Sequence, residues 1–587
     1  MISFLEGLKK THTDDASIRA FNEIENQLRE KKYGLVWEEH SEEVDELLKE
    51  NIPVLSADKK RRLCKDGNLP WNFIIEGDNL QALYLLEKTH KGKVDCIYID
   101  PPYNTGATNW KYNNDYVDGN DVYRHSKWLS MMKERISLAK KLLSPAGFFV
   151  CAIDANELYA IGALLDEIFR ENNRLGVVTV LHNPKGRNFT KWFSANSEYM
   201  LVYANDNAQA SFNEVALDED IKKTFNLQDD NTGKRYRLEP FMRSRTETLR
   251  ENKPNFWYPL YVSKDLKEIT REKKSSYREI YPISSTGKEA TWINLPETFD
   301  EKNKDGWFVA KEEEGNVVIY RKLYEQQVYK NVWVEKKYQS EFNGTNLLKE
   351  IFKEKVFDYP KSLYLVEDIL KLTSKRDSVI LDFFAGSGTT MHAVNLLNAE
   401  DGGNRTCIMV TNNEISDAEA KGFREKGIKK GDKEWEEKGI AKYVTWPRTV
   451  CSINGVDVNG DPLKGNYIGS DKPMANGFKA NVKYFKCEWT QRKPENYLLS
   501  NALSLHIKEM IELQNALEID QRKNVLILNK TDFKDIVLDE KKYKKIERMW
   551  VNQNIVFNAK ELKLLKAKGY KDIPKEFFGQ ELREVAE

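Results

Sequence analysis

An α/β protein organised around an open, mostly parallel sheet is the fold class this sequence predicts, on three observations. From Trp71 onward the short apolar runs FIIEGDN, DCIYID, GFFVCAID, GVVTVLH and EYMLVYA alternate with helix-length segments, the pattern of strands joined by helical crossovers. A second block of the same kind follows, where SVILDFFAGSG runs into TTMHAVNLLNAE and then the strand TCIMVT. Between the blocks, over residues 205–354, the texture changes to aromatic-rich short strands with many Lys and Arg and few long helices, which reads as an inserted domain.

Taken in order, residues 1–70 are charged and helix-favouring, as in FNEIENQLREKKYGLVWEEHSEEVDELLKE, and give way to KKRR at 59–62. They predict a helical N-terminal region. Residues 71–204 and 355–450 predict the α/β body. Residues 451–587 predict a mixed C-terminal domain that carries no readable motif and suits partner or dimer contacts, and the lysine-rich stretch at 419–443 is expected to be exposed.

With 587 residues the chain has room for three or four domains. Lys plus Arg and Asp plus Glu are both 92, so no global basic field advertises nucleic acid, and any such surface must be local. The six cysteines form no CxxC pair, which fits a reduced cytoplasmic protein without structural zinc. Neither a signal-peptide core at MISFLEGLKK nor a membrane-spanning run is visible, so no membrane association is expected.

The first informative stretch is DCIYIDPPYNTG, 95–106. Val94 to Ile99 is apolar and β-branched enough for a buried strand. Pro101 and Pro102 fix their own φ angles and lack N–H donors, so the chain leaves the sheet stiffly, and each holds its predecessor extended. Asp100, the Pro101 carbonyl and the Tyr103 ring should therefore project from a strand's carboxyl end, where open α/β sheets bind ligands. The plainer alternative is a strand-to-turn exit with a capping acid.

The second stretch is VILDFFAGSGTT, 379–390. An apolar strand ends at Asp382, and Gly386 and Gly388 open a helix, letting backbone approach a ligand closely. A dinucleotide fingerprint would need a third glycine where Met391 stands, and a P-loop would need a lysine after Gly388. An ordinary tight turn remains open on these residues alone. The acid at this strand end, with Glu414 after the next strand, suits a ligand bearing an amino group and a ribose diol.

Together the two stretches resemble the amino-group DNA methyltransferases, in which D-P-P-Y is catalytic and F-x-G-x-G binds S-adenosylmethionine. Their order here, catalytic motif first, is similar to the β class, and DPPYNTG and DFFAGSGTT…LNAEDGGNR are most similar to the modification subunit of type III restriction–modification systems. FIIEGDNLQALYLL, WLSMMKERISLAKKLLSPAGFFVCAID and FDYPK stand in the expected order, and the likeness covers roughly 70–450. The resemblance implies a Rossmann-like methyltransferase sheet with an inserted target-recognition domain. It implies Asp100, Pro101, Pro102 and Tyr103 as catalytic. It implies Asp382, Phe383, Phe384, Ala385, Gly386, Ser387, Gly388, Thr389 and Thr390 around the cofactor's methionine end, and Glu414 at its ribose. Asp78 is similar to the acid at the adenine edge, against a helix N-cap as alternative. Lys361 is a candidate for the methionine carboxylate, against a solvated lysine.

In the insertion, Lys234, Arg235, Arg237, Arg243, Arg245, Arg250 and Lys253 cluster in sequence beside Tyr236, Phe256, Trp257 and Tyr258. Basic residues interleaved with aromatics suit phosphate contact and groove reading; a solvated face over an aromatic core is the alternative. The resulting expectation is a site-specific adenine-N6 methyltransferase of double-stranded DNA, homodimeric by resemblance, with S-adenosylmethionine as cofactor and no metal. Without a P-loop, ATP-driven cleavage would need a separate restriction subunit. A solitary adenine methyltransferase, an RNA adenine methyltransferase and a non-catalytic DNA-reading subunit are the rivals.

Overall fold

The computed structural model describes residues 41–105, 124–186, 192–213, 223–229, 232–243, 246–284, 286–325, 329–492 and 502–578, with a few isolated positions before 41. Almost all of the predicted helical segment at 1–40 lies outside the described residues. The chain divides into two compact units, one of residues 214–329 and one of everything else.

The larger unit is built on a ten-stranded sheet. Its strands are β1 (Asn51–Leu63), β2 (Trp71–Glu76), β3 (Val94–Ile99), β4 (Leu143–Ile153), β5 (Arg174–Leu181), β6 (Ser197–Ala204), β7 (Val332–Trp333), β8 (Val379–Asp382), β9 (Thr406–Thr411) and β10 (Asn481–Gln491). Their order across the sheet is β1-β10-β2-β9-β8-β3-β4-β6-β5-β7. From β10 through β4 every pair is parallel; β1 and β6 run against their neighbours.

Helices cover both faces, as a parallel sheet requires. On one side α1 (Glu43–Glu50), α2 (Asn79–His90), α3 (Arg124–Leu142) and α4 (Leu158–Phe169) pack on Phe73, Ile75, Ile97, Ile99 and Phe149; on the other α5 (Leu363–Thr373) and α6 (Thr389–Asp401) pack on Ile74, Cys96, Tyr98 and Val150. Neighbouring residues of one strand thus feed opposite cores, the two-residue period of a strand buried on both faces.

Three expected boundaries are corrected. The helical N-terminal region does not extend to 70: α1 is followed at once by the 13-residue β1, which pairs along β10. β1 is an edge strand, where Pro53 and the charged run at 59–62 are tolerated because one side needs no ladder partners. The body does not stop at 450, because β10 lies inside the main sheet between β1 and β2. The insertion is shorter than 205–354. Asn205 and Asn213 tie back to the body, donating to the Leu143 and Lys371 carbonyls at 3.3 and 2.9 Å, and β7 pairs with β5.

The smaller unit carries a four-stranded antiparallel sheet over a core of Phe241, Trp292, Phe299 and Phe308, with Phe241 stacked on Trp292 at 5.3 Å. After β10 the chain closes with a small parallel sheet of β11 (Asn524–Ile527), β12 (Arg548–Val551) and β13 (Lys571–Asp572). Among the described residues no helix is long and apolar enough to cross a membrane.

Candidate active site

β3 and β8 end side by side, and from there the chain departs in opposite directions, β3 toward β4 and β8 toward β9. Such a reversal opens a crevice outside the strand ends. Asp100 stands one residue past β3, and Asp382 closes β8.

The Asp100 loop is braced from beneath. The Trp128 indole N–H on α3 donates to the Pro102 carbonyl at 2.8 Å. Asn104 takes the left-handed conformation at φ 52°, which asparagine tolerates. Its amide donates to buried Glu157, whose same oxygen lies 2.6 Å from His125 Nδ1. Burial pushes the Glu157 carboxyl up, and the bonds from Asn104 and His125 pull against it.

Asp100 is surrounded by donors. The Tyr103 hydroxyl donates to Oδ1 at 2.9 Å, and the Lys361 ammonium donates to Oδ2 at 2.8 Å and lies equally close to Oδ1. The Asp100 side chain keeps 25% of its surface exposed, so a ligand can reach it. Lys361 Nζ is also 3.5 Å from Glu198 Oε2 and 4.6 Å from the Tyr103 ring centroid. Burial pushes the Asp100 carboxyl upward, and Lys361 restores part of its acidity. For Lys361 burial acts downward, yet Asp100 and Glu198 outweigh it and hold the ammonium above the usual lysine range. Burial, then the Asp100 charge, push the Tyr103 phenol well up, so it stays a donor.

The glycine turn is as tightly built. Asp382 accepts from the Phe384 N–H at 3.0 Å and from the Thr390 hydroxyl; its burial raises the carboxyl to about 7. Gly386 and Gly388 have φ of 49° and 82°, left-handed values that favour glycine. The Thr445 hydroxyl donates to the Gly386 carbonyl at 2.7 Å. Fully buried Arg448 donates to the Ser387 and Thr389 hydroxyls, each at 2.8 Å; burial lowers its guanidinium to about 9.

Asp78 is the N-cap of α2, accepting from the Leu80 and Gln81 N–H groups at 2.8 and 3.4 Å, with Arg135 3.4 Å from its other oxygen. Asn79 beside it donates to the Phe383 carbonyl at 3.1 Å, so the cap is tied to the glycine turn. Glu414 lies in the loop after β9, its carbonyl accepting from the Ile440 N–H at 3.0 Å. Lys361 is engaged by Asp100 and Glu198 rather than standing apart as a carboxylate receptor.

In the smaller unit Arg235 and Arg237 share one strand: Arg235 donates to the Phe225 carbonyl at 2.9 Å, and Arg237 lies over the Phe225 ring at 5.3 Å. Arg243 is exposed on a short strand. Arg250 pairs with Glu289 at 2.9 Å and lies 4.8 Å from the Trp257 ring. Arg245 lies outside the described residues.

Sequence reading missed Glu198, Glu157, His125, Thr445 and Arg448. Glu198 sits at the start of β6, which reaches this edge only because β6 is antiparallel to β4, with Tyr199 opposite Ile153. The lysine-rich stretch at 419–443 is not uniformly exposed either. Lys442 is buried, 3.1 Å from Glu76 at the end of β2.

Residues 94–472, more than half of the chain, match the DNA methylase family, and the chain belongs to it. It is 33% identical to the type II methyltransferase M.KpnI of Klebsiella pneumoniae over 58% of this chain and 80% of that protein. It is 29% identical to the type III EcoPI Mod subunit of Escherichia phage P1, over 67% of this chain and 65% of the relative. To the type III StyLTI Mod subunit of Salmonella typhimurium it is 32% identical, over 62% and 55%. The chain thus spans less than two thirds of either type III subunit. Among solved structures, the M1.HpyAVI–SAM complex is 13% identical at a TM-score of 0.28, covering 63% of this chain and 98% of that one.

The protein is an S-adenosylmethionine-dependent DNA methyltransferase, and the glycine turn fits that cofactor. A Cβ on Gly386 would meet only the Phe357 ring at 3.4 Å and the Phe384 carbonyl at 3.8 Å, so the protein leaves that side of the turn open.

Proposed function

We propose that the protein methylates the N6 amino group of adenine at a specific site in duplex DNA, as the modification subunit of a type III restriction–modification system. The observation that carries the adenine reading is Asp100 itself. A carboxylate stands at the first position of the motif, where the resembling cytosine-N4 enzymes usually carry Ser, and at the crevice beside the glycine turn it accepts from an amine.

An exocyclic amine is a poor nucleophile because its lone pair is delocalised into the ring. Asp100 accepts one amino proton and, with the Pro101 carbonyl as second acceptor, favours a tetrahedral nitrogen. S-adenosylmethionine supplies an electrophilic methyl group at a sulfonium. With the methyl delivered to nitrogen and the C–S pair left on sulfur, Asp100 would take the proton that becomes acidic on nitrogen. Positioning of the amine by Asp100 and the Pro101 carbonyl would contribute most. The target must leave the duplex to reach this crevice, and the Tyr103 ring offers a stacking face worth about 1–3 kcal/mol. Asp382 to Thr390, Glu414 and Asp78 are the proposed cofactor contacts. Arg235, Arg237, Arg243, Arg245 and Arg250 are the proposed DNA contacts.

The type III reading rests on the likeness to the EcoPI and StyLTI Mod subunits; it brings a homodimer and a separate restriction subunit as proposed partners. The likeness to M.KpnI, a type II enzyme, favours a solitary methyltransferase as the second reading. Methylation-sensitive long-read sequencing of DNA from cells expressing this chain tests the first claim: N6-methyladenine at one short motif supports it, and N4-methylcytosine or unmodified DNA overturns it. ATP-dependent cleavage that appears only when a second chain is added separates type III from solitary.

A further inference from the structure

Glu198 has no part in the methyl transfer itself, yet it is the third member of a charge cluster built around buried Lys361. Lys361 Nζ lies 2.8 Å from Asp100 and 3.5 Å from Glu198, and the lysine side chain is only 7% exposed. Two carboxylates around one ammonium leave the cluster with one net negative charge. An isolated Asp100–Lys361 pair would be neutral and its carboxylate a weak acceptor, because the whole ammonium charge would fall on it.

We propose that Glu198 is a positioning residue for methyl transfer: it draws the Lys361 charge away from Asp100 and so keeps Asp100 a strong enough acceptor for the target's amino proton. The inference rests on the methyltransferase reading above. In the step it serves, nitrogen gains the methyl, the C–S pair goes to sulfur, and the displaced amino proton moves onto Asp100. Glu198 exchanges no proton and touches neither substrate. Its strand explains its placement, since the amino end of β6 comes to the crevice only by antiparallel pairing with β4.

Other charged and titratable groups face the cluster. Tyr98 on β3, Asp154 after β4 and Asp382 on β8 are electrostatically linked to it, Tyr103 bonds Asp100 directly, and His182 Nε2 lies 3.8 Å from Glu198. His182 stands directly beside Glu198, so it needs a control.

The test uses Glu198→Gln, Glu198→Asp and His182→Gln in the full chain. Single-turnover methyl transfer to unmethylated DNA is followed from pH 5 to 9, and cofactor binding is followed alongside. The Asp100 titration is read separately in the ligand-free protein by isotope-edited infrared difference against Asp100→Asn. Removing the Glu198 charge should lower the Asp100 midpoint and move the acidic limb of the rate to lower pH. The plateau should fall roughly tenfold, with cofactor binding unchanged and partial recovery in Glu198→Asp. A rate loss with an unmoved limb and midpoint would mean a structural role only and would overturn the proposal. So would an equal limb shift in His182→Gln. A shifted infrared midpoint in a chain whose wild type transfers no methyl group would instead condemn the methyltransferase reading, leaving the electrostatic coupling intact.

Discussion

Tyr103 gives its hydroxyl proton to Asp100 Oδ1 across 2.9 Å, three residues along a loop stiffened by Pro101 and Pro102. The aromatic residue of the motif therefore has two attachments, a ring face for a base and a hydrogen bond that orients the acceptor. Tyr103→Phe should lose the bond and keep the face, costing about 1.5–3 kcal/mol, which is roughly tenfold or more in kcat/KM. Tyr103→Ala should lose a further 1–3 kcal/mol or so of stacking. Placing the target adenine in a mismatch lowers the flipping cost, so it should narrow the gap between Ala and Phe without rescuing Phe. A Phe variant at wild-type rate would show the bond to be idle; Phe and Ala equally impaired would show the same of the ring.

Lys361 touches both Asp100 oxygens, so its removal should be read first in the chemistry. In Lys361→Met the half-buried Asp100 loses the group that holds its acidity, and its carboxyl moves further up. At pH 7 more of it is protonated and unable to accept. Methyl transfer should fall by about 10²–10³ at pH 7 and recover partly toward pH 9, while cofactor affinity changes little. The opposite result, cofactor affinity lost and single-turnover rate kept, would return Lys361 to the methionine carboxylate.

The parts of this site written as contiguous motifs were legible in the sequence. Asp100 directly follows one apolar strand and Asp382 closes another, each before a stiff or glycine-rich turn, local signals needing no partner. The rest depends on pairings far apart in the chain. Glu198 reads as an ordinary strand residue until β6 is laid against β4. Arg448 lies about sixty residues from the Ser387 and Thr389 hydroxyls it holds, and β10 joins β2 across some 400 residues of chain. The misread N-terminal boundary has the same origin: β1 is charged because it is an edge, and that follows only from its pairing with β10.

Arg448 is buried behind the glycine turn and supports it through Ser387 and Thr389. Arg448→Met keeps bulk but leaves both hydroxyls without their donor, so cofactor affinity should fall by roughly tenfold, with the larger part of any loss in binding rather than in single-turnover rate at saturating cofactor. Arg448→Lys should not restore it, because a point ammonium cannot reproduce the guanidinium fork. Unchanged affinity in a folded Met variant would show that the turn holds its shape unaided.

Asp382 carries the sharpest pH dependence. Burial holds its carboxyl at about 7, against the bonds from Thr390 and Phe384. If the ionised form receives the cofactor's amino group, affinity should be flat above pH 7 and fall toward tenfold per unit below it, because protons then compete with the ligand. The stability effect has the opposite sense. The folded value lies above the roughly 3.9 of an unfolded aspartate, so the native state keeps its proton longer, and this residue's contribution to stability declines as pH rises from about 4 to 7. Asp382→Asn, which cannot ionise, should therefore raise Tm at pH 8 and change it little at pH 4, while cofactor affinity falls by a hundredfold or so, about the worth of a charge-assisted hydrogen bond. Calorimetry at the two pH values together with cofactor titration checks both halves. A variant that melts lower at pH 8 and still binds the cofactor would make Asp382 a structural cap for the turn rather than a ligand.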